Sequence, residues 1–226
     1  MTTLSGLADQ AQLMLDDAGG ATWSQSVIEG WVNEAIGGYS VHFPRLISSS
    51  INVTAGVRVY ELPANFREMV SVEYPAGDSP PNYLGRLPFQ RADFWQGDNW
   101  YDVVSRRQSG DADELWISRS PAAGESIGLL FQGVHDDGLA SGGTVTVPGE
   151  HHHILLANVY WKACLALLSA EQQSPTGSSS LLMGQLSSNA DRAKRAYFQA
   201  IAQGLAAQEG RSGTAVWGTA ETGRIY

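Results

Sequence analysis

Cysteine is nearly absent from this chain of 226 residues, which has Cys164 alone. An intramolecular disulfide is therefore excluded, and the apolar neighbours of Cys164 make it a small core hydrophobe. Positive charge is scarce as well: 14 Lys and Arg stand against 23 Asp and Glu, for a formal net charge of -9. That balance repels phosphate backbones and anionic membranes, so a broad electrostatic grip on nucleic acid is excluded. The opening residues Met1 to Gly6 lack both the basic cluster and the apolar core of a secretory signal, and synthesis in the cytosol is expected. No repeat of solenoid period occurs. Also missing are GxSxG, a Walker-type GxxxxGK[ST], a GxGxxG leading from strand to helix, HExxH and paired cysteines. The longest apolar run, 154–170, is broken by Asn158 and Lys162, and reads as a buried helix rather than a membrane span.

What is present is a packed α+β pattern. Hydrophobic residues make up 43% and charged residues 16%, which suits a folded core rather than disorder. Trp23, Val27, Ile28, Trp31, Ala35, Ile36, Tyr39 and Phe43 recur at the spacing of one helix face, with Thr22 or Ser24 as cap and Pro44 as terminator. A shorter helix is expected over 4–17, with Leu7, Met14 and Leu15 inward. Between 51 and 148 the pattern changes to short strands. Ile51, Val53, Val57 and Val59 flank Ala55-Gly56 and predict a β-hairpin. Further strands are expected at 69–74, 100–105, 114–118, 126–132 and 143–147. The Pro-rich stretch 75–96 reads as a loop with one helical turn at 90–95.

After Pro148 the helical period returns. His151, Asn158, Lys162 and Ser169 share a narrow stripe, the expected polar face of that helix. A flexible connection at 174–180 leads to a second long helix marked by Leu182, Leu186, Asn189, Ala193, Tyr197, Ala200 and Ile201. The expected organisation is a helical bundle (1–48 and 149–209), an inserted small antiparallel β-sheet or sandwich (49–148) and an extended C-terminal arm (210–226).

Three consecutive histidines, His151, His152 and His153, invite a metal reading and with it a metal-dependent hydrolase. On a helix, neighbours diverge by about 100° and cannot converge on one ion, since paired helical ligands sit at i and i+4. The triplet instead reads as the first turn of a helix, and no metal or cofactor is expected. Asp111, Asp113 and Glu114, like Asp136 and Asp137, fall in predicted turns and read as solvated loops rather than acid–base pairs. Trp95, Trp100 and Trp116 are the exposed aromatic candidates, and a β-rich binding module built on them is the remaining alternative.

The segments WVNEAIGGYSVHFPR, INVTAGVRVYELPANFREMVSVEYP, ELWISRSPAAGESIGLLFQGV and VPGEHHHILLANVYWKACLALL occur in that order. Together they resemble the head-tail connector (adaptor) proteins of tailed bacteriophages over about two-thirds of the chain. The matching positions are Phe43-Pro44; Ala55, Gly56, Tyr60, Leu62, Pro63 and Phe66; Pro121 and Gly124; and Pro148. The resemblance implies a structural virion protein at the head-tail junction with no enzymatic role. It further implies a dodecameric ring beneath the portal protein, a tail or nozzle protein on the other side, and a passage through which DNA moves without specific binding. The implied portal contact is the C-terminal arm, with Trp217, Arg224, Ile225 and Tyr226 as anchors; large aromatics and Arg commonly serve so. His151 on the polar stripe is expected to face a neighbouring subunit or the channel, which would make assembly pH-sensitive.

Overall fold

The computed structural model describes residues 2–106, 112–173 and 180–213, without side chains for 180–181 and 209–213. The fold is α+β. Its described residues form a helical unit, drawn from the chain up to Phe43 and again from His135 onward, and a β unit, Pro44–Val134.

In the helical unit, α1 (Leu4–Met14) begins at Thr3, whose hydroxyl accepts the Gly6 N–H at 3.1 Å. Leu4, Leu7, Ala8 and Ala11 form its buried face. Met14, expected inward, is 42% exposed because the helix ends there and the chain turns through Asp16 at φ 55°. Helix α2 (Gln25–His42) buries Ile28, Val32, Ala35, Ile36 and Tyr39 and stops at Phe43, ahead of Pro44. Its buried stripe is rotated from the expected one: Val27 is exposed, Trp31 packs edge-on against Trp23, and Val32 takes the inner place. Ser24 caps nothing with its side chain. The turn before α2 is held by Asp17, whose carboxylate accepts the N–H groups of Thr22 and Trp23 at 3.0 and 2.7 Å.

A 3-10 turn (Gly149–His151) leads into α4 (His152–Gln172), with α3 belonging to the β unit described next. Helix α5 (Ser180–Gly213) follows, so residues 210–213 of the expected arm are helical. The connection 174–179 and the remaining arm, 214–226, lie outside the described residues. Helix α4 packs against α1, α2 and α5 and supplies Ile154, Leu155 and Val159 to a core shared with Leu7, Ile36, Phe43 and Ile201. The expected strand at 143–147 is instead an extended segment with one bridge, Thr144 to Thr3. Thr3 is already the start of α1, which leaves no partner strand to extend the ladder.

The β unit comprises β1 (Arg45–Asn52), β2 (Val59–Glu61), β3 (Phe66–Glu73), β4 (Gly85–Arg86), α3 (Ala92–Gln96), β5 (Trp100–Val104), β6 (Glu114–Ile117) and β7 (Ser126–Gly133). One sheet has the order β1-β7-β3 and the other β2-β6-β5-β4, antiparallel except for the β4–β5 pair. Both contribute to a single core, in which Ile127, Leu129 and Phe131 of β7 meet Leu115 and Ile117 of β6. The hairpin expected at Ala55-Gly56 does not form. A turn is present, with Gly56 at φ 77°, yet β1 pairs with β7 and β2 with β6. The Val57 N–H bonds Thr54 O and the Gly56 N–H bonds Pro121 O, so the turn is a corner where the chain changes sheets. The Pro-rich stretch holds α3 where a helical turn was expected and also the short strand β4, which sequence patterning missed.

Candidate functional site

The histidine triplet sits where the 3-10 turn becomes α4, and helical divergence separates its side chains. His151 Nδ1 lies 2.6 Å from the Tyr39 hydroxyl. His152 Nε2 donates to Val147 O at 3.1 Å, and His153 Nδ1 donates to Glu150 O at 2.8 Å. A carbonyl can only accept, which fixes where the proton sits on those two rings. The hydrolase alternative rests on their convergence, which this geometry does not provide. Among the described residues, no three His, Cys, Asp or Glu side chains are placed to hold a metal.

The polar stripe of α4 is partly turned inward, with Asn158 buried, His151 and Lys162 half-buried and Ser169 exposed. Tyr39 of α2 engages His151, and Glu34 of α2 pairs with Lys162. Asn158 is buried; its amide N–H reaches Tyr197 of α5, while its Oδ1 has no hydrogen-bond partner. Burial holds the Lys162 ammonium below its usual range. Burial also pushes the Tyr39 phenol up to about 12, with the nearby Glu150 carboxylate adding to it. His151 thus spends its Nδ1 inside its own unit, on the Tyr39 hydroxyl.

A further histidine, His135, is only 4% exposed. Its backbone N–H donates to Ser40 Oγ at 2.9 Å, its Nε2 donates to Phe43 O at 3.2 Å, and its Nδ1 meets Thr146 Oγ1 at 3.0 Å. It ties the end of α2 to the point where the chain returns from the β unit. A lone histidine in a loop beside two aspartates offered no pattern that would mark it.

In the β unit, two of the three candidate tryptophans come together. Trp95 is 43% exposed on α3 and meets the half-buried Trp116 of β6, whose ring lies 4.4 Å from that of Phe89. The Arg58 guanidinium stands 5.7 Å above the Trp95 ring. Trp100 does not join them. Its ring is pressed against Gly85 and Gly97, where an added Cβ would come within 2.7 and 2.6 Å of it. A separate cleft of about 490 Å³ is lined by Phe66, Arg67, Glu68, Met69, Arg86, Val103, Ser105 and Asp113. Asp113 accepts from Ser105 and from the Arg106 N–H, and Glu114 lies in β6 and pairs with Arg106, so these two carboxylates have structural work. Asp111 lies outside the described residues, as do all four expected portal anchors, Trp217, Arg224, Ile225 and Tyr226.

Among the described residues, the geometry thus presents packed surfaces and no cluster placed to hold a metal. Against that background, the family model described as SU10 adaptor protein matches residues 2–222. The chain belongs to this family. No curated protein matches it in sequence. As a phage head-tail adaptor, it is a structural component of the virion that works through contacts with other head and tail proteins. Helix α4 with its leading turn, Gly149–Gln172, has the length and hydropathy to cross a membrane, and in the adaptor it packs on three other helices.

Proposed function

We propose that this adaptor forms a ring, a dodecamer on the family resemblance, beneath the portal protein and joins it to a tail or nozzle protein, with DNA passing through without specific binding. The observation that carries the reading is the family match along nearly the whole chain, 2–222. A net charge of -9 agrees with a passage that does not retain DNA. On this reading the protein has no catalytic task, is made in the host cytoplasm, and docks to the portal through residues 214–226, with Trp217, Arg224, Ile225 and Tyr226 as anchors. Electron microscopy of the purified protein with and without portal tests it. Rings on the portal are expected, and a protein that stays monomeric and never binds portal overturns it.

A second contact is favoured by the Trp95, Trp116 and Phe89 cluster with Arg58, a set of residue types that anchors protein interfaces. We assign it to a tail-side protein. Trp95→Ala should weaken tail-protein capture while portal capture persists; glycan binding that depends on Trp95 would redirect the assignment to carbohydrate.

A further inference from the structure

Charge in the helical unit is segregated by element. Residues 1–43 contain Asp9, Asp16, Asp17, Glu29 and Glu34 and no lysine or arginine. In α5, by contrast, Arg192, Lys194 and Arg195 fall within one turn, all exposed. Each of these regions also leaves a large apolar side chain in the open. On α1, Leu13 is 67% exposed, and it lies four residues after Asp9 and three before Asp16. On α5, Phe198 is 48% exposed and follows Arg192 and Arg195 at successive three-residue steps, so the three share one side of the helix. Asp191 lies on that side as well, leaving the net sign of the patch positive. Helix α1 packs on α2 and α4, whereas α5 packs on α4, and its buried residues Ala193, Tyr197, Ala200 and Ile201 face away from the patch.

We propose that the acidic surface formed by α1 and the turn after it (Asp9 and Leu13 on the helix, Asp16 in the turn) on one copy docks against the basic stripe of α5 (Arg192, Arg195, Phe198) on the next copy. Resting on the ring reading above, this inference names the surfaces that would build the ring. The occupant follows from complementarity. Each stripe is an exposed apolar side chain beside two like charges, and the two stripes are opposite in sign. A head-to-tail contact between different patches propagates until it closes, whereas a self-complementary patch stops at a dimer. Facing charges on the rim set orientation and speed encounter, and the contact weakens as salt is raised.

The test uses the full chain in two variants, Arg192→Glu/Arg195→Glu and Asp9→Lys/Asp16→Lys, followed by native mass measurement and sedimentation at low and high salt, alone and with portal. All four positions are exposed, so circular dichroism should match wild type and any fall in melting temperature should stay small, the exposed Gln25–Asp9 hydrogen bond and the positive φ of Asp16 being the local costs of the second variant. Wild type should form species larger than a dimer. Each variant alone should lose roughly tenfold or more in self-association, the range typical of charge reversal at an interface. Mixed one to one, the variants should regain growth beyond a dimer, because the retained faces pair as in wild type and the two reversed faces are again opposite in sign. Assembly of either variant like wild type overturns the assigned surfaces and leaves the ring reading standing. Loss of portal binding with no recovery of assembly on mixing overturns the second copy as occupant in favour of the portal. Wild type that never assembles, with or without portal, overturns both readings.

Discussion

The Tyr39 hydroxyl and His151 Nδ1 stand 2.6 Å apart, joining the last turn of α2 to the first residues after Pro148. The Phe43 ring completes the contact, lying 4.7 Å from Tyr39 and 5.2 Å from His151. The pair is a structural clasp, and its consequences can be measured.

Tyr39 and Tyr74 should titrate late. Burial pushes both phenols up to about 12, and for Tyr74 a hydrogen bond to Glu125 adds to the shift. A raised pKa in the fold means stability that is whole below about 10 and is lost as pH climbs toward 12, because the unfolded chain ionises first. Ultraviolet titration should show a late-ionising class of tyrosines that loses one member in Tyr39→Phe and one in Tyr74→Phe. Unchanged curves would refute the burial argument.

Asp17 should govern part of the acid limb. The Thr22 and Trp23 N–H groups hold its carboxylate below its ordinary range, so its contribution is present above about 3.8 and fades as pH falls through the lowered value. Asp17→Asn should melt lower at neutral pH and show a shallower loss of stability on acidification. Equal acid limbs in variant and parent would exclude this role.

Two helical glycines should respond differently to alanine. Glycine inside a helix usually costs about 1 kcal/mol relative to alanine, so the replacement normally stabilises. At Gly204 an added Cβ would lie 2.8 Å from Phe43 Cζ, on a ring fixed between Tyr39 and His151. Gly204→Ala should therefore destabilise, by roughly 1–3 kcal/mol in urea unfolding. At Gly37 the near atom is Oδ2 of Asp137, the free end of a side chain that can swing away, and Gly37→Ala should be neutral or better.

His135→Ala should be among the costlier substitutions in the helical unit. It leaves Phe43 O and Thr146 Oγ1 without their ring partner in a buried site, at about 1–3 kcal/mol for each buried polar group orphaned. Urea unfolding followed by far-ultraviolet circular dichroism measures it; a loss under 1 kcal/mol would contradict the assignment.

Removing residues 214–226 should leave the melting temperature near that of the full chain and abolish portal capture. Equal capture by the shortened protein would disprove the arm assignment.

What could be read in the sequence was periodic and local. The spacing from Ile28 to Phe43 gave α2, alternation gave β3, β5, β6 and β7, and Pro44 and Pro148 marked two helix boundaries. Strand pairing was not readable at the 51–60 turn. A glycine at φ 77° serves a hairpin and a sheet-changing corner alike, and the choice depends on β7, some seventy residues onward. The α4 stripe was found by angle, but polarity alone does not say whether water or Tyr39 and Glu34 will meet it. Asp17 acts through the backbone of its own turn and His135 through a carbonyl 92 positions away, and no residue pattern announces such bonds.

The β unit is one unbroken stretch of chain, whereas the helical unit is interrupted by it. During synthesis, α1 and α2 emerge well before α4 and α5, the helices that cover them. The β unit can complete its sheets once Gly133 is out, and a folded insert closes the gap between Phe43 and His135 at far less entropic cost than a free loop of equal length. The Phe43 O bond to the His135 ring then joins the two halves of the helical unit at the point where the insert begins and ends.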